Sequence, residues 1–170
     1  DLKTAGMLTG RPVLYVANVG SDSEQQAVDR LRERDPGAGV IALDAELERD
    51  LVELSADERA EFMTELGLEV AGLDRLVRAA FDLLGLISFY TVVKDKLQAW
   101  EVPAGTPAAV AAGKIHSDME AGFIRAKVVS ADELIDVADL HAIQSAGHVR
   151  TIGKEHPIED GDVVEFLFSG

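Results

Sequence analysis

The sequence predicts two folding units in tandem, an α/β unit over residues 1–85 and an α+β unit with β-grasp strand order over residues 86–170. Three observations carry this. An apolar run rich in β-formers is followed by an amphipathic helix and a second short apolar run. A long helical stretch comes next. At Gly85 the pattern then changes to alternating strands around a short polar turn.

The first run, PVLYVANV at residues 12–19, opens with Pro and is almost continuously apolar, as expected of a central parallel strand buried on both faces. Ser21 and Glu24 have capping-box spacing, and Ala27, Val28 and Leu31 stripe the helix that ends near Asp35-Pro36-Gly37. The second strand is GVIALD. Strand, helix and strand with tight connections make a βαβ unit, whose ligands lie beyond the carboxyl ends of the strands, where Asn18 and Asp44 fall. Residues 45–85 read as helical, with a capping box at Ser55 and Glu58. A stripe at Leu73, Leu76, Val77, Ala80, Phe81 and Leu84 is expected to pack against the sheet.

In the second unit, ISFYTVV and KLQAWEVP read as a hairpin turning at Lys94-Asp95. A helix from Thr106 to about Ile115, a strand over Phe123–Val129, a helix from Ser130, another near Ala138–Ala146 and a final strand DVVEFLF complete the pattern. The turn before the last strand is Glu159-Asp160-Gly161-Asp162.

Composition narrows the function classes. Zero cysteines exclude disulfides, thiolate metal sites and cysteine nucleophiles. A net charge of −15 argues against a grip on nucleic acid over the whole surface, because phosphate binding relies on Lys and Arg, so any RNA contact must be local. No apolar run is long enough for a membrane helix and no secretory signal stands at Asp1, so the cytoplasm is the expected compartment and no membrane partner is expected. The four His are scattered and no G-x-S-x-G elbow exists, which leaves no pattern for hydrolase chemistry. A single terminal Gly after an apolar strand is a poor match to a ubiquitin-like modifier or sulfur carrier.

Two stretches carry a family resemblance. LTGRPVLYVANVGSDS, DPGAGVIALDAELERDLVELSADERAEF and GLDRLVRAAFDLLGLISFYT resemble the end of the nucleotide-binding domain of the YchF, or Obg-like, P-loop ATPases. AWEVPAGTPAAVAAGKIHSDMEAGFIRAKVVSADELI and the terminal EDGDVVEFLF are similar to the ubiquitin-like TGS domain of those proteins. The resemblance implies a P-loop NTPase remnant over residues 1–85 and a TGS β-grasp domain over residues 86–170.

It also implies site residues. Asn18 matches the Asn that pairs with a purine edge, a task suited to an amide because it offers donor and acceptor in one plane. Val19, Ser21, Asp44 and Ala45 complete the implied base-recognition set, with Ser21 where the family carries an acid and Asp44 where a small hydroxyl is usual. The plain alternative for Asn18 is an Asx turn or helix cap. The phosphate loop G-x-x-x-x-G-K-S/T is absent from the sequence, so ATP or GTP with Mg²⁺ is expected only in a complete protein, and hydrolysis by this chain alone is not. A sheet shortened in this way is expected to leave an exposed edge or to have a partner filling the gap.

The TGS resemblance implies ribosome or RNA contacts, for which Lys114, His116, Arg125 and Lys127 are the candidates. A solvated face for the cations, a local helix-terminus role for His116 and a core role for Trp100 are the structural alternatives. The competing function is an autonomous TGS-containing binding module with no nucleotide role.

Overall fold

A computed structural model describes residues 11–20, 23–93, 96–137 and 148–169. The chain divides into two compact units, Asp1–Leu84 and Gly85–Gly170.

In the first unit, β1 (Leu14–Asn18) pairs in parallel with β2 (Gly39–Leu43), joined by α1 (Glu24–Arg34). Leu14 lies opposite Gly39 and Asn18 opposite Leu43, so both strands end at the same level. β1 is not the doubly buried strand that its apolar run suggests. Among the described residues the sheet has two strands, β1 has a neighbour on one side alone, and Val16 is left 46% exposed. The helix after it starts at Glu24 with Ser23, not Ser21, in the capping position. The Ser23 hydroxyl donates to the Gly20 carbonyl at 3.1 Å instead of accepting from the first helical turn. Ser21 itself lies outside the described residues.

The long helical stretch divides into α2 (Ala45–Glu53), α3 (Ala56–Glu65) and α4 (Gly72–Leu84). The capping box forms as the spacing requires: the Ser55 amide donates to Glu58 Oε2 at 3.0 Å and Glu58 N–H donates back to Ser55 Oγ. The Ser55 hydroxyl, donating to Glu58 Oε2 at 2.6 Å, and after it the Ser55 amide hold the Glu58 carboxyl below its ordinary pKa. α4 keeps half of its apolar stripe, Leu76, Ala80 and Phe81, half-buried and leaves the other half out. Gly72 abuts Leu43, Arg75 reaches the Ala42 carbonyl and Leu83 lies over Gly39, whereas Leu73, Val77 (51% exposed) and Leu84 face outward. The physical reason is close approach: a glycine and an arginine with a carbonyl to bond occupy the positions nearest the strand ends.

In the second unit, β3 (Leu86–Val93), β4 (Lys96–Pro103), β5 (Phe123–Ser130), β6 (Arg150–Ile152) and β7 (Asp162–Phe168) form a mixed sheet in the order β4-β3-β7-β5-β6. The last strand lies in the middle, parallel to β3 and antiparallel to β5. The short strand β6 carries too weak an apolar alternation to be read from sequence. α5 (Ala108–Ile115) packs on one face through Ala108, Ala111 and Ala112, all fully buried against Phe89, Val102, Ala126, Val128, Ile158 and Phe166. Phe89 and Phe166 meet edge to face with centroids 6.0 Å apart.

Pro107 offers α5 no side-chain cap, and the helix instead donates its first amides to backbone carbonyls, Ala108 to His156 at 2.8 Å and Ala109 to Lys154 at 3.2 Å. A second helix, α6 (Ser117–Ala121), follows where the sequence suggests only a helix end, and α7 (Ala131–Val137) follows β5. The expected turn at Glu159–Asp162 closes with Asp162 N–H donating to Glu159 O, Gly161 supplying the positive φ of 81°. The helix expected near 138–146 and the hairpin turn at Lys94-Asp95 lie outside the described residues.

Candidate functional site

Four of the five residues expected for base recognition converge at the carboxyl ends of β1 and β2. The Asn18 side chain spans the gap: its Oδ1 accepts the Ala45 amide at 3.1 Å. One residue on, the Val19 amide donates to Leu43 O at 3.0 Å, extending the parallel ladder past the strand end. Asp44 caps α2, its Oδ1 accepting from Glu46 N at 3.0 Å and Leu47 N at 3.1 Å. The carboxylate at the position of a usual small hydroxyl therefore has a structural task. Asn18 spends its carbonyl on Ala45, and its NH₂ has no partner among the described residues.

Glu24, Glu48 and Arg75 surround this point; the sequence suggests only a capping role for Glu24 and marks neither Glu48 nor Arg75. Glu48 Oε1 accepts the Gly72 amide at 2.6 Å and Oε2 the Leu73 amide at 3.0 Å, capping α4 from α2. Arg75 Nη2 donates to Ala42 O at 3.1 Å and lies 3.5 Å from Glu24 Oε1. The 24-residue separation of Glu48 from Gly72 carries no local spacing signal. Beside them opens a cavity of about 260 Å³, lined by the charged Glu24, Asp44 and Arg75 together with the apolar Phe62, Leu66 and Val70.

In the second unit the cations do not form one patch. Ala126 and Val128 point into the core beneath α5, so Arg125 and Lys127, which alternate with them on β5, face the opposite side of the sheet. Lys114 belongs to α5 and pairs with Glu101 at 3.3 Å. A bond from its own backbone and then that ammonium hold the Glu101 carboxyl below its ordinary pKa. Lys127 pairs across strands with Glu165 at 3.0 Å, while Arg125 has no ion-pair partner among the described residues. His116 closes α5 and caps α6, its Nδ1 accepting from Asp118 N at 3.2 Å. Trp100 is half-buried against the core and donates its indole N–H to Thr91 Oγ1 at 3.0 Å. Among the described residues no three His, Cys, Asp or Glu groups are disposed to hold a metal ion, and no helix is long and apolar enough to cross a membrane.

Comparison with known proteins agrees over almost the whole chain. The family model YchF-GTPase_C, "Protein of unknown function (DUF933)", matches residues 86–169. The chain is 40% identical over 172 residues to a protein of Escherichia coli O157:H7 named "Ribosome-binding ATPase YchF", covering 99% of this chain and 47% of that protein. A protein of the same name from Bacillus subtilis is 39% identical over 175 residues, covering 99% and 48%. Among solved structures, the Schizosaccharomyces pombe YchF GTPase superposes with a TM-score of 0.81 at 26% identity, over 98% of this chain and 46% of that one. A GTP-binding protein from Pyrococcus horikoshii OT3, at 19% identity and a TM-score of 0.62, shares the fold. The chain thus spans about half the length of the curated relatives that it matches. With this agreement added to the strand-end geometry, the chain belongs to the YchF family and carries its C-terminal domain.

Proposed function

We propose that this chain supplies the base-recognition loop of a translation-associated YchF-type ATPase or GTPase, together with a TGS module that binds ribosomes or RNA. The observation that carries the first part is the Asn18 side chain, whose carbonyl accepts from Ala45 and whose NH₂, without a partner among the described residues, can donate to a purine acceptor. Residues 1–85 then correspond to the closing part of a P-loop nucleotide domain and residues 86–170 to the TGS β-grasp. The order β4-β3-β7-β5-β6, with the last strand central and parallel to the first of its unit, supports the latter reading.

The purine half of an ATP or GTP would rest against Asn18, Val19, Asp44 and Ala45. Its phosphates and Mg²⁺ need an anion cradle and a metal-binding hydroxyl, and no G-x-x-x-x-G-K-S/T exists in these 170 residues to provide them. Hydrolysis by this chain alone is accordingly not expected. Names of relatives such as "Ribosome-binding ATPase YchF" support the ribosome as partner and the cytoplasm as compartment. On the TGS module, Arg125 and Lys127 offer one face and Lys114 another.

The test is to complete the chain with an upstream segment bearing a phosphate loop and to measure ATP and GTP binding and turnover. Asn18→Ala is expected to weaken purine binding about tenfold, the scale of one or two lost hydrogen bonds to a base. A completed protein that neither binds nor turns over either nucleotide refutes the reading. Ribosome co-sedimentation with Arg125→Ala/Lys127→Ala, against Lys114→Ala, tests the module: loss in the first variant alone identifies the sheet face, and unchanged binding in both removes these cations from the interface.

The second reading is an autonomous TGS-containing binding module with no nucleotide role. One observation favours it: the Val19 amide, the Ala45 amide and the Asp44 carboxylate are all bonded within the chain, as a pure scaffold would have them.

A further inference from the structure

The geometry at the start of α4 assigns Arg75 the role of a positioning residue for base recognition, an inference that rests on the nucleotide reading above. Arg75 touches none of the expected base-recognition residues, yet it binds both sides of them. Nη2 donates to the carbonyl of Ala42, two residues before Asp44, and lies against the carboxylate of Glu24, the first residue of α1. Asn18 and Ala45 thus join the two strand ends directly, and the guanidinium ties the end of β2 to the start of α1.

The helix bearing Arg75 is itself fixed to the same point. Glu48, in the helix that Asp44 caps, holds the first two amides of α4. A closed ring results, running from Asn18 through Ala45 and α2 to Glu48, on to Gly72 and Arg75, and back to Ala42 and Glu24. Arg75 Nε is buried without a hydrogen-bond partner among the described residues. A buried donor left unpaired is costly. A side chain present only to fill space would avoid that cost, whereas Arg75 carries it while its Nη2 reaches Ala42 and Glu24 together.

Amide hydrogen exchange in this chain, without ligand, tests the ring independently of any nucleotide. Arg75→Gln is expected to speed exchange at Val19 and Ala45 about tenfold, the scale of one charge-assisted hydrogen bond lost to local opening. The Gly39 amide, bonded to Val13 O at the other end of the same sheet, is expected to stay unchanged. Glu24→Gln, nearly isosteric, should give a smaller rise at the same two amides, and it keeps the test usable if Arg75→Gln folds poorly. Unchanged exchange at Val19 and Ala45, or an equal rise at Gly39, overturns the proposal. In the chain completed with a phosphate loop, Arg75→Gln should weaken ATP binding while leaving inorganic tripolyphosphate binding intact, and equal weakening of both also overturns it. A completed parent protein that binds tripolyphosphate but no purine instead defeats the nucleotide reading, a distinct outcome from a local exchange pattern that fails to appear.

Discussion

Glu48 and Gly72 meet at 2.6 Å, the carboxylate of one helix closing the amide end of another. The contact needs glycine. A Cβ on residue 72 would sit 2.7 Å from Glu48 Oε1 and 3.0 Å from Leu43 Cβ. Gly72→Ala is expected to destabilise the first unit by about 1–3 kcal/mol, as for other overpacked sites. Glu48→Ala should cost about 1–3 kcal/mol through the lost charged cap. Urea unfolding followed in the first unit checks both, and a Gly72→Ala variant as stable as its parent removes the steric argument.

Asp162 carries the acid-range signature of the second unit. It is 3% exposed, and burial raises its pKa more than the Glu159 amide and Arg150 lower it. A carboxyl with a raised folded pKa holds its proton more tightly when folded. The stability it contributes is full below the ordinary carboxylate range and is lost as pH rises through the raised value. Asp162→Asn keeps an acceptor for the Glu159 amide and removes the titration. The parent should therefore lose stability relative to Asp162→Asn as pH rises through and above the ordinary carboxylate range, measured by urea melts of both proteins. A gap that does not change with pH contradicts the assignment.

Gly122 precedes β5 and lies against the backbone of Ser169, whose amide donates to Gly122 O at 2.8 Å. A Cβ there would collide with the Ser169 carbonyl oxygen, a backbone atom with little freedom to yield. Gly122→Ala is expected to cost about 2 kcal/mol or to release the end of β7. Amide exchange at Ser169 distinguishes the two, and retained protection with unchanged stability argues against either.

Lys127 and Glu165 form a cross-strand pair that is half open to water. A double-mutant cycle should give less than about 1 kcal/mol, falling further with salt. A larger, salt-insensitive coupling would mean that the pair is shielded by something packed over the sheet.

Features whose partners lie close in sequence are legible in it. Ser55 and Glu58 stand three positions apart and form the box their spacing announces. Gly161 announces the turn before β7. The hairpin strands β3 and β4 follow from their alternation. What escapes the sequence depends on distant neighbours. The apolar run of β1 records only a preference for burial, and the number of strands beside it decides whether that preference is met. α4 turns its Gly72 and Arg75 to the sheet because one must come close and the other has a carbonyl to reach, while hydrophobicity alone selects Leu73, Val77 and Leu84. Lys114 and Lys127 lie near each other in sequence, yet α5 and β5 carry them to opposite sides of the sheet. At the candidate site, Asn18 is legible from its strand end, and Arg75 is not, because its two partners come from separate elements.

The alanines of α5 also set how the second unit divides its thermodynamic load. Alanine has no side-chain rotamers to freeze, so seating Ala108, Ala111 and Ala112 costs backbone order alone. The same residues bring little apolar area of their own. The larger side chains of the same core, Phe89, Ile158 and Phe166 among them, provide more water-excluding surface each, at a larger ordering cost. Heat-capacity change on unfolding should accordingly respond far more to truncation of those residues than to any change of comparable size along the helix.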